Sequence, residues 1–368
     1  MALAPFFPKA AWAASLVLQG FDHSAFEQRL LASPIGLAFD AAAVDSSEGR
    51  ATLDMAVRLL ARLYPTVVLQ PLDANAQAMS LELSVLLKSI NPLISLTTDV
   101  PVATLVVGNT PVSGPQPIFY IGSAGWTAKF SSTAPVGSST SMLPFGAGAA
   151  ACFGAANVFR SVFAAELPGA PCDTNFELSL FEYDVPGTLA PPEDLKGVAL
   201  TEMALVGIGA VGNGAVWALG HLQGVSGTVH LVDEQTIELS NLQRYVLTQQ
   251  PDADRESVKV EVAEKVLLQT DLIPIPHPCD WGAFVQQQGH AHLPLVAVAL
   301  DSAEDRIAVQ AALPPHVLNA WTQPENLGVS RHFNFLSEPC LACLYLPTQQ
   351  VLSESQLVAQ ALGIPHRE

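Results

Sequence analysis

The sequence predicts an α/β protein: a doubly wound, mostly parallel, Rossmann-like sheet, present in two related domains. Three observations predict it. Apolar runs that read as buried parallel strands alternate with stretches of helical spacing. One of these runs, residues 198–206, enters a glycine turn, Gly207-Ile-Gly209-Ala-Val-Gly212. Degenerate counterparts of the same strands recur in the first half, at Thr104-Leu-Val-Val-Gly108-Asn and Ile118-Phe-Tyr-Ile-Gly-Ser.

In the second half the elements follow in order. A strand over 198–206 ends in the glycine turn, and a helix over 212–222 leaves it. A strand over 228–232 ends at Asp233. An amphipathic helix covers 257–269, a very apolar strand 293–300 ends before Asp301, and a helix covers 304–312. In the first half, 53–63 has helical spacing and stops at Tyr64-Pro65. Residues 66–69, 102–107 and 118–121 read as strands, and the Gly/Ala-rich stretch 146–163 as a tightly packed helix. No phosphate-binding loop occurs there. The Pro-rich stretch 186–197, PGTLAPPEDLK with its flank, separates a domain over 1–185 from one over 198–368.

Composition narrows the function. The chain has 368 residues, 49% apolar and 14% charged, so it is not a disordered chain. Its net charge of −18 leaves little basic material for a phosphate-backbone surface, and nucleic acid is excluded as a partner. Five cysteines in a chain of this size do not form a secreted disulfide framework, which points to a cytoplasmic protein. The N-terminus does not read as a secretory signal: Lys9 follows the first apolar residues, and Pro5 and Pro8 interrupt them. The run 142–159 is too rich in Gly and Ala for a membrane span and reads as a buried helix.

The glycine turn carries the first chemistry. Gly207 and Gly209 let backbone N–H groups approach phosphates, and Gly212 lets the helix pack on its strand. Asp233 stands where a strand-end carboxylate holds ribose hydroxyls. Together they point to an adenine nucleotide. The next groups point away from hydride transfer. Asn241, Arg244, Lys259 and Asp301 form a set that faces phosphates: an amide, a guanidinium, an ammonium and a carboxylate. Arg244 and Lys259 suit charge developing on departing phosphates, and Asp301 suits Mg²⁺. These three are the candidate catalytic residues.

This stretch, over about 199–347, resembles the adenylation domain of the ThiF-type and ubiquitin-activating enzyme family. The matching residues are Gly207, Gly209, Gly212, Asp233, Asn241, Arg244, Lys259 and Asp301. The resemblance implies ATP and Mg²⁺ as cofactors. It also implies a ubiquitin-like protein whose C-terminal glycine carboxylate attacks the α-phosphate, giving an acyl-adenylate and pyrophosphate. A conjugating-type enzyme and a homodimer are further expected partners. One departure is Tyr245, where the family has Gln; it touches local packing only. The family pairs active with inactive domains, so residues 1–185 are expected to be a degenerate partner, completing a pseudo-dimer. That arrangement resembles bacterial ubiquitin-like activating enzymes of antiphage conjugation operons. An arginine from the partner domain is implied at the phosphates, with Arg29 as the candidate.

Cys340-Leu-Ala-Cys343 has the spacing of two zinc ligands, but no further cysteine follows to complete a tetrahedral set. Related enzymes carry such a pair with its partner pair further on, so zinc at Cys340 and Cys343 is an expectation of the resemblance. The family's catalytic cysteine follows the adenylation strands, and no cysteine lies there. Either the protein stops at the adenylate, or the chain is part of a longer one, or the thiol is on another chain. Cys152 reads as core and Cys279 as a strand-end residue. Three rivals remain: activation of a small carboxylate or a peptide amide, a nucleotide-binding scaffold without chemistry, and a Rossmann dehydrogenase.

Overall fold

Strand and helix alternation sets the architecture, and the structure, a computed structural model, describes residues 4–288, 293–322, 327–335 and 337–345. Two short helices, α1 (Phe7–Ser15) and α2 (His23–Leu31), precede the first sheet. Its elements are β1 (Ile35–Phe39), α3 (Ala41–Asp45), α4 (Ser47–Leu60), β2 (Thr66–Pro71), α5 (Gln77–Ile90) and β3 (Ser95–Leu96). They continue with β4 (Ala103–Val107), β5 (Ile118–Ala124), β6 (Thr127–Ser131), α6 (Phe145–Val162) and β7 (Asn175–Ser179).

The second half runs β8 (Ala199–Val206), α7 (Ala210–Gly220), β9 (Ser226–Val232), a 3₁₀ turn (Leu239–Gln243), α8 (Gln250–Asp254) and α9 (Lys259–Leu267). It continues with β10 (Leu272–His277), α10 (Trp281–Gln287), β11 (Leu295–Val298), α11 (Ala303–Gln310), β12 (His316–Thr322), β13 (Leu327–Phe333) and α12 (Leu341–Leu344).

The two sheets share one topology. The first has the order β3-β2-β1-β4-β5-β6-β7 and the second β10-β9-β8-β11-β12-β13. In each, the first strand pairs in parallel with the second and fourth, the fourth with the fifth, and the sixth returns antiparallel. The chain is two related Rossmann-like domains. β10 escaped the sequence reading because Pro274 and Pro276 interrupt it. It lies at the sheet edge, where prolines leave only outward hydrogen bonds unmade.

One continuous core runs through both halves, from Phe7 and Leu37 to Trp217, Leu231 and Leu272. The small residues of α6 make this contact close. A Cβ on Gly148 would lie 2.7 Å from the Trp217 ring of α7. Trp217 donates from its indole nitrogen to Asp54 on α4 at 2.8 Å, and Arg58 contacts the same oxygen at 2.7 Å. Burial would raise the Asp54 carboxyl, but Arg58, Trp217 and His221 outweigh it and hold it below the ordinary carboxylate range. The outer face of the second sheet has its own core, with Val206, Val232, Phe284, Val309 and Leu341. No helix among the described residues is long and apolar enough to cross a membrane.

Candidate functional site

The order β9-β8-β11 places a topological switch point between β8 and β11, where open α/β sheets bind ligands beyond the carboxyl ends of their strands. A cleft of about 670 Å³ opens there, a volume ordinary for a bound cofactor. Gly207, Gly209, Asp233, Arg244, Lys259 and Asp301 all line it. Six of the eight residues singled out from the sequence therefore meet in one space.

The glycine turn is built as its spacing implies. Gly207 has φ +90, and a Cβ there would meet the Ala299 carbonyl oxygen at 2.9 Å. Gly209 caps α7 without a side chain of its own, leaving the helix N-terminus open toward the cleft. Asn213, buried on α7, donates to the Ile208 and Gly209 carbonyls at 2.9 and 3.0 Å. The same amide accepts from the Leu247 N–H at 3.2 Å, so it ties the turn to the 245–248 segment.

Asp233 ends β9 and serves the turn as well as the cleft. Its carboxylate accepts from the Ile208 N–H at 2.7 Å and the Gln235 N–H at 2.9 Å. Lys259 opens α9 and is only 4% exposed. Its ammonium lies 3.8 Å from Asp233 and donates to Gln235 Oε1 at 2.6 Å. Arg244 is exposed, with its guanidinium 5.1 Å from the centre of the Tyr245 ring. Asp301 is exposed on the opposite wall, just past β11.

Two of the eight lie behind the wall. Gly212 faces the turn: a Cβ there would sit 2.1 Å from the Gly207 carbonyl oxygen. Asn241 is buried, and its side-chain oxygen accepts from the Glu238 N–H at 2.9 Å. Its carbonyl accepts from the N–H groups of Arg244 and Tyr245, so it shapes the loop that carries Arg244.

Arg29 does not reach the cleft. It donates to the Val162 carbonyl at 2.9 Å and lies 3.6 Å from Glu166, within the first half. The arginines that cross between halves are Arg58 and Arg62 on and after α4. Arg58 donates to the Val246 carbonyl at 2.9 Å, and Arg62 to those of Tyr245 and Thr248 at 2.6 and 2.8 Å. Helical periodicity marks both as polar positions but carries no sign of what they meet. Arg306 was also missed. It is buried beneath the Asp301 loop, on the Leu300 carbonyl, Asn319 Oδ1 at 3.0 Å and the Tyr345 hydroxyl at 2.8 Å.

The Cys340 and Cys343 sulfurs are 3.6 Å apart. Two thiolates on one zinc at about 2.3 Å stand roughly 3.8 Å apart, so the pair has the edge of a tetrahedral site. Hydrogen bonding from Gln310, then from Cys343, brings the Cys340 thiol down to about 7. Among the described residues no group of three or more ligating side chains forms, so the pair by itself does not make a zinc site.

The same switch point in the first half is closed. Asp40 follows β1 where Gly207 follows β8. Its carboxylate accepts from the N–H groups of Asn109 and Thr110 at 2.7 and 2.8 Å, from the Thr110 hydroxyl at 2.7 Å, and from the Ala43 N–H at 3.1 Å. An anion of the chain's own thus bridges the loops that follow β1 and β4 at this switch point.

The family described as Prokaryotic E2 family C matches residues 38–164, and the ThiF family matches residues 187–272. An uncharacterized protein y4jF of Sinorhizobium fredii (strain NBRC 101917 / NGR234) is 48% identical over 368 residues, 99% of this chain and 70% of that protein. Among solved structures, E. coli MccB with SeMet MccA is 21% identical over 33% of this chain and 36% of that chain, with a TM-score of 0.28. E. coli MccB with ATP is 20% identical over the same shares, also at 0.28. The chain spans about a third of the length of those solved chains. The chain thus belongs to one family with the Sinorhizobium fredii protein y4jF, and residues 187–272 of its second half match the ThiF family.

Proposed function

We propose that this protein is an ATP- and Mg²⁺-dependent adenylyltransferase that activates the C-terminal glycine carboxylate of a ubiquitin-like protein. One observation carries the reading: the open helix N-terminus at Gly209, two cations and a carboxylate line a single cleft at the switch point. The ThiF-family match over 187–272 supports it. A degenerate nucleotide protein has no use for Arg244, Lys259 and Asp301 together.

The roles follow from position. The Gly207–Gly209 turn seats the phosphate chain on backbone N–H groups. The tail carboxylate attacks the α-phosphorus; a new O–P bond forms, and the bond to the bridging oxygen breaks. Pyrophosphate leaves with that electron pair. Arg244 and Lys259 neutralise the charge it gains. Asp301 would hold Mg²⁺, which when bound would supply charge neutralisation on the phosphates. Asp233 orients the glycine turn and presents its carboxylate to the ribose. The acyl group then passes to a thiol of a conjugating-type enzyme, and AMP leaves. The first half is the inactive partner domain, since Asp40 fills its switch point. The protein is placed in the cytoplasm, in a bacterial ubiquitin-like conjugation system of the antiviral kind.

The family described as prokaryotic E2 favours a second reading of the first half, as the acyl acceptor. Cys152, exposed on α6, is the cysteine of the matched segment. A thiol-sensitive adduct lost in Cys152→Ser would establish it.

The test is ATP–pyrophosphate exchange with candidate ubiquitin-like proteins. Exchange that requires an intact Gly-terminated tail supports the reading. Exchange with a small carboxylate or peptide amide alone moves the substrate class. ATP binding with no exchange by any of these leaves a nucleotide-binding scaffold. Tighter binding of NAD than of ATP overturns the adenylyltransferase.

A further inference from the structure

Tyr245 stands where the resembled family has glutamine, and its surroundings give it more than a packing role. It is 5% exposed and lies on the cleft wall. Its hydroxyl sits 3.8 Å from where a Cβ of Gly209 would be, directly against the phosphate turn. Tyr245 shares that wall with Gly209, Arg244 and Lys259. A phenol hydroxyl on a cleft wall can donate one hydrogen bond to a bound anion. Its ring carries two cations: Arg244 and Lys259 each lie 5.1 Å from the ring centre. Their mutual repulsion before an anion arrives is offset by the negative ring face. Its carbonyl is fixed by Arg62 at 2.6 Å and by the Thr248 hydroxyl at 2.8 Å, so the ring cannot easily swing away.

We propose that Tyr245 is a phosphate-contacting residue of this site: its hydroxyl donates to the nucleotide's phosphate chain over Gly209, and its ring positions Arg244 and Lys259. A glutamine can supply the hydrogen bond but not the ring face. The proposal rests on the nucleotide reading above.

The experiment is calorimetric titration of ATP and of adenosine into the wild-type chain, Tyr245→Phe and Tyr245→Gln, with melting temperatures of all three. Tyr245→Phe keeps the ring and removes the hydroxyl. Its ATP Kd rises about tenfold, the cost of a hydrogen bond to a charged group, while its adenosine Kd stays unchanged. Tyr245→Gln keeps a hydrogen-bond donor but takes the ring from both cations, so its ATP affinity also falls while adenosine is again spared. Equal weakening of ATP and adenosine in Tyr245→Phe makes the residue structural and overturns the proposal. Unchanged ATP binding in Tyr245→Phe overturns it too. A wild-type chain that binds adenosine and ATP equally, or neither, overturns the nucleotide reading itself. Should Tyr245→Gln fail to fold, the Tyr245→Phe comparison alone decides.

Discussion

Arg62 of the first half donates to the carbonyl of Tyr245 in the second at 2.6 Å, across 183 residues of sequence. Burial, and then the neighbouring Arg58 charge, bring its guanidinium down to about 9. So costly a buried cation is kept because it fixes the loop that presents Arg244 to the cleft. The first half acts on the site from behind, through backbone carbonyls, instead of sending an arginine into it.

Arg62→Ala should therefore cost stability and affinity together. It strands the Thr248 carbonyl and opens space beside Tyr245. A loss of about 3 kcal/mol in chemical denaturation is expected, with ATP binding weakened several-fold in the same samples. Weakened stability with unchanged ATP binding would separate the seam from the site.

Arg244→Ala, Lys259→Ala and Asp301→Ala should each slow adenylate formation by about two to three orders of magnitude. Arg244 and Asp301 are exposed, so their variants keep the wild-type melting temperature. Lys259 is buried against Gln235 and Asp233, and its variant melts lower. Pyrophosphate exchange at saturating ATP measures the effect. Wild-type exchange in all three removes these residues from the mechanism.

One nucleotide should bind per chain, because the first half has no glycine turn and Asp40 bridges the loops at its switch point. Asp40→Ala frees the N–H groups of Asn109 and Thr110 and lowers stability by about 2 kcal/mol. Titration of wild type should give a stoichiometry of one, and a value of two would show that the first half binds as well.

Acid should destabilise the fold through His277. Its ring nitrogen lies 2.8 Å from that of His230, whose other nitrogen meets Glu202 at 2.9 Å. Burial, then the His230 charge, hold His277 below the ordinary histidine range. The unfolded chain takes up this proton near pH 6.5, and the folded chain only at lower pH. Stability is thus full above about pH 6.5 and falls as the pH drops from there through the depressed value. Melting temperatures at pH 7.5 and 5.5 should diverge in wild type and converge in His277→Gln.

Much of this was legible from the residues alone. The alternation of apolar runs with helical spacing placed β8, α7, β9, α9, β11 and α11, because strand and helix periods are local properties of the chain. The glycine spacing predicted the tight turn after β8, since glycine accepts φ +90 and the close approach to Ala299 at Gly207. The order of Asp233, Arg244, Lys259 and Asp301 behind that turn identifies charged groups that line the cleft.

The tertiary structure decided what depends on pairing distant residues. It brought Arg62 to Tyr245, Trp217 to Asp54 and Asp40 to Thr110, contacts that no local period encodes. It placed Asn241 and Gly212 behind the wall rather than in it. It also turned Tyr245 from a departure in a motif into a ring between two cations, because its place beside Gly209 comes from packing α7 against the 245–248 segment through Asn213. Sequence fixes which groups a chain carries and how each stretch curls; the shared core of the two halves fixes which of those groups face each other.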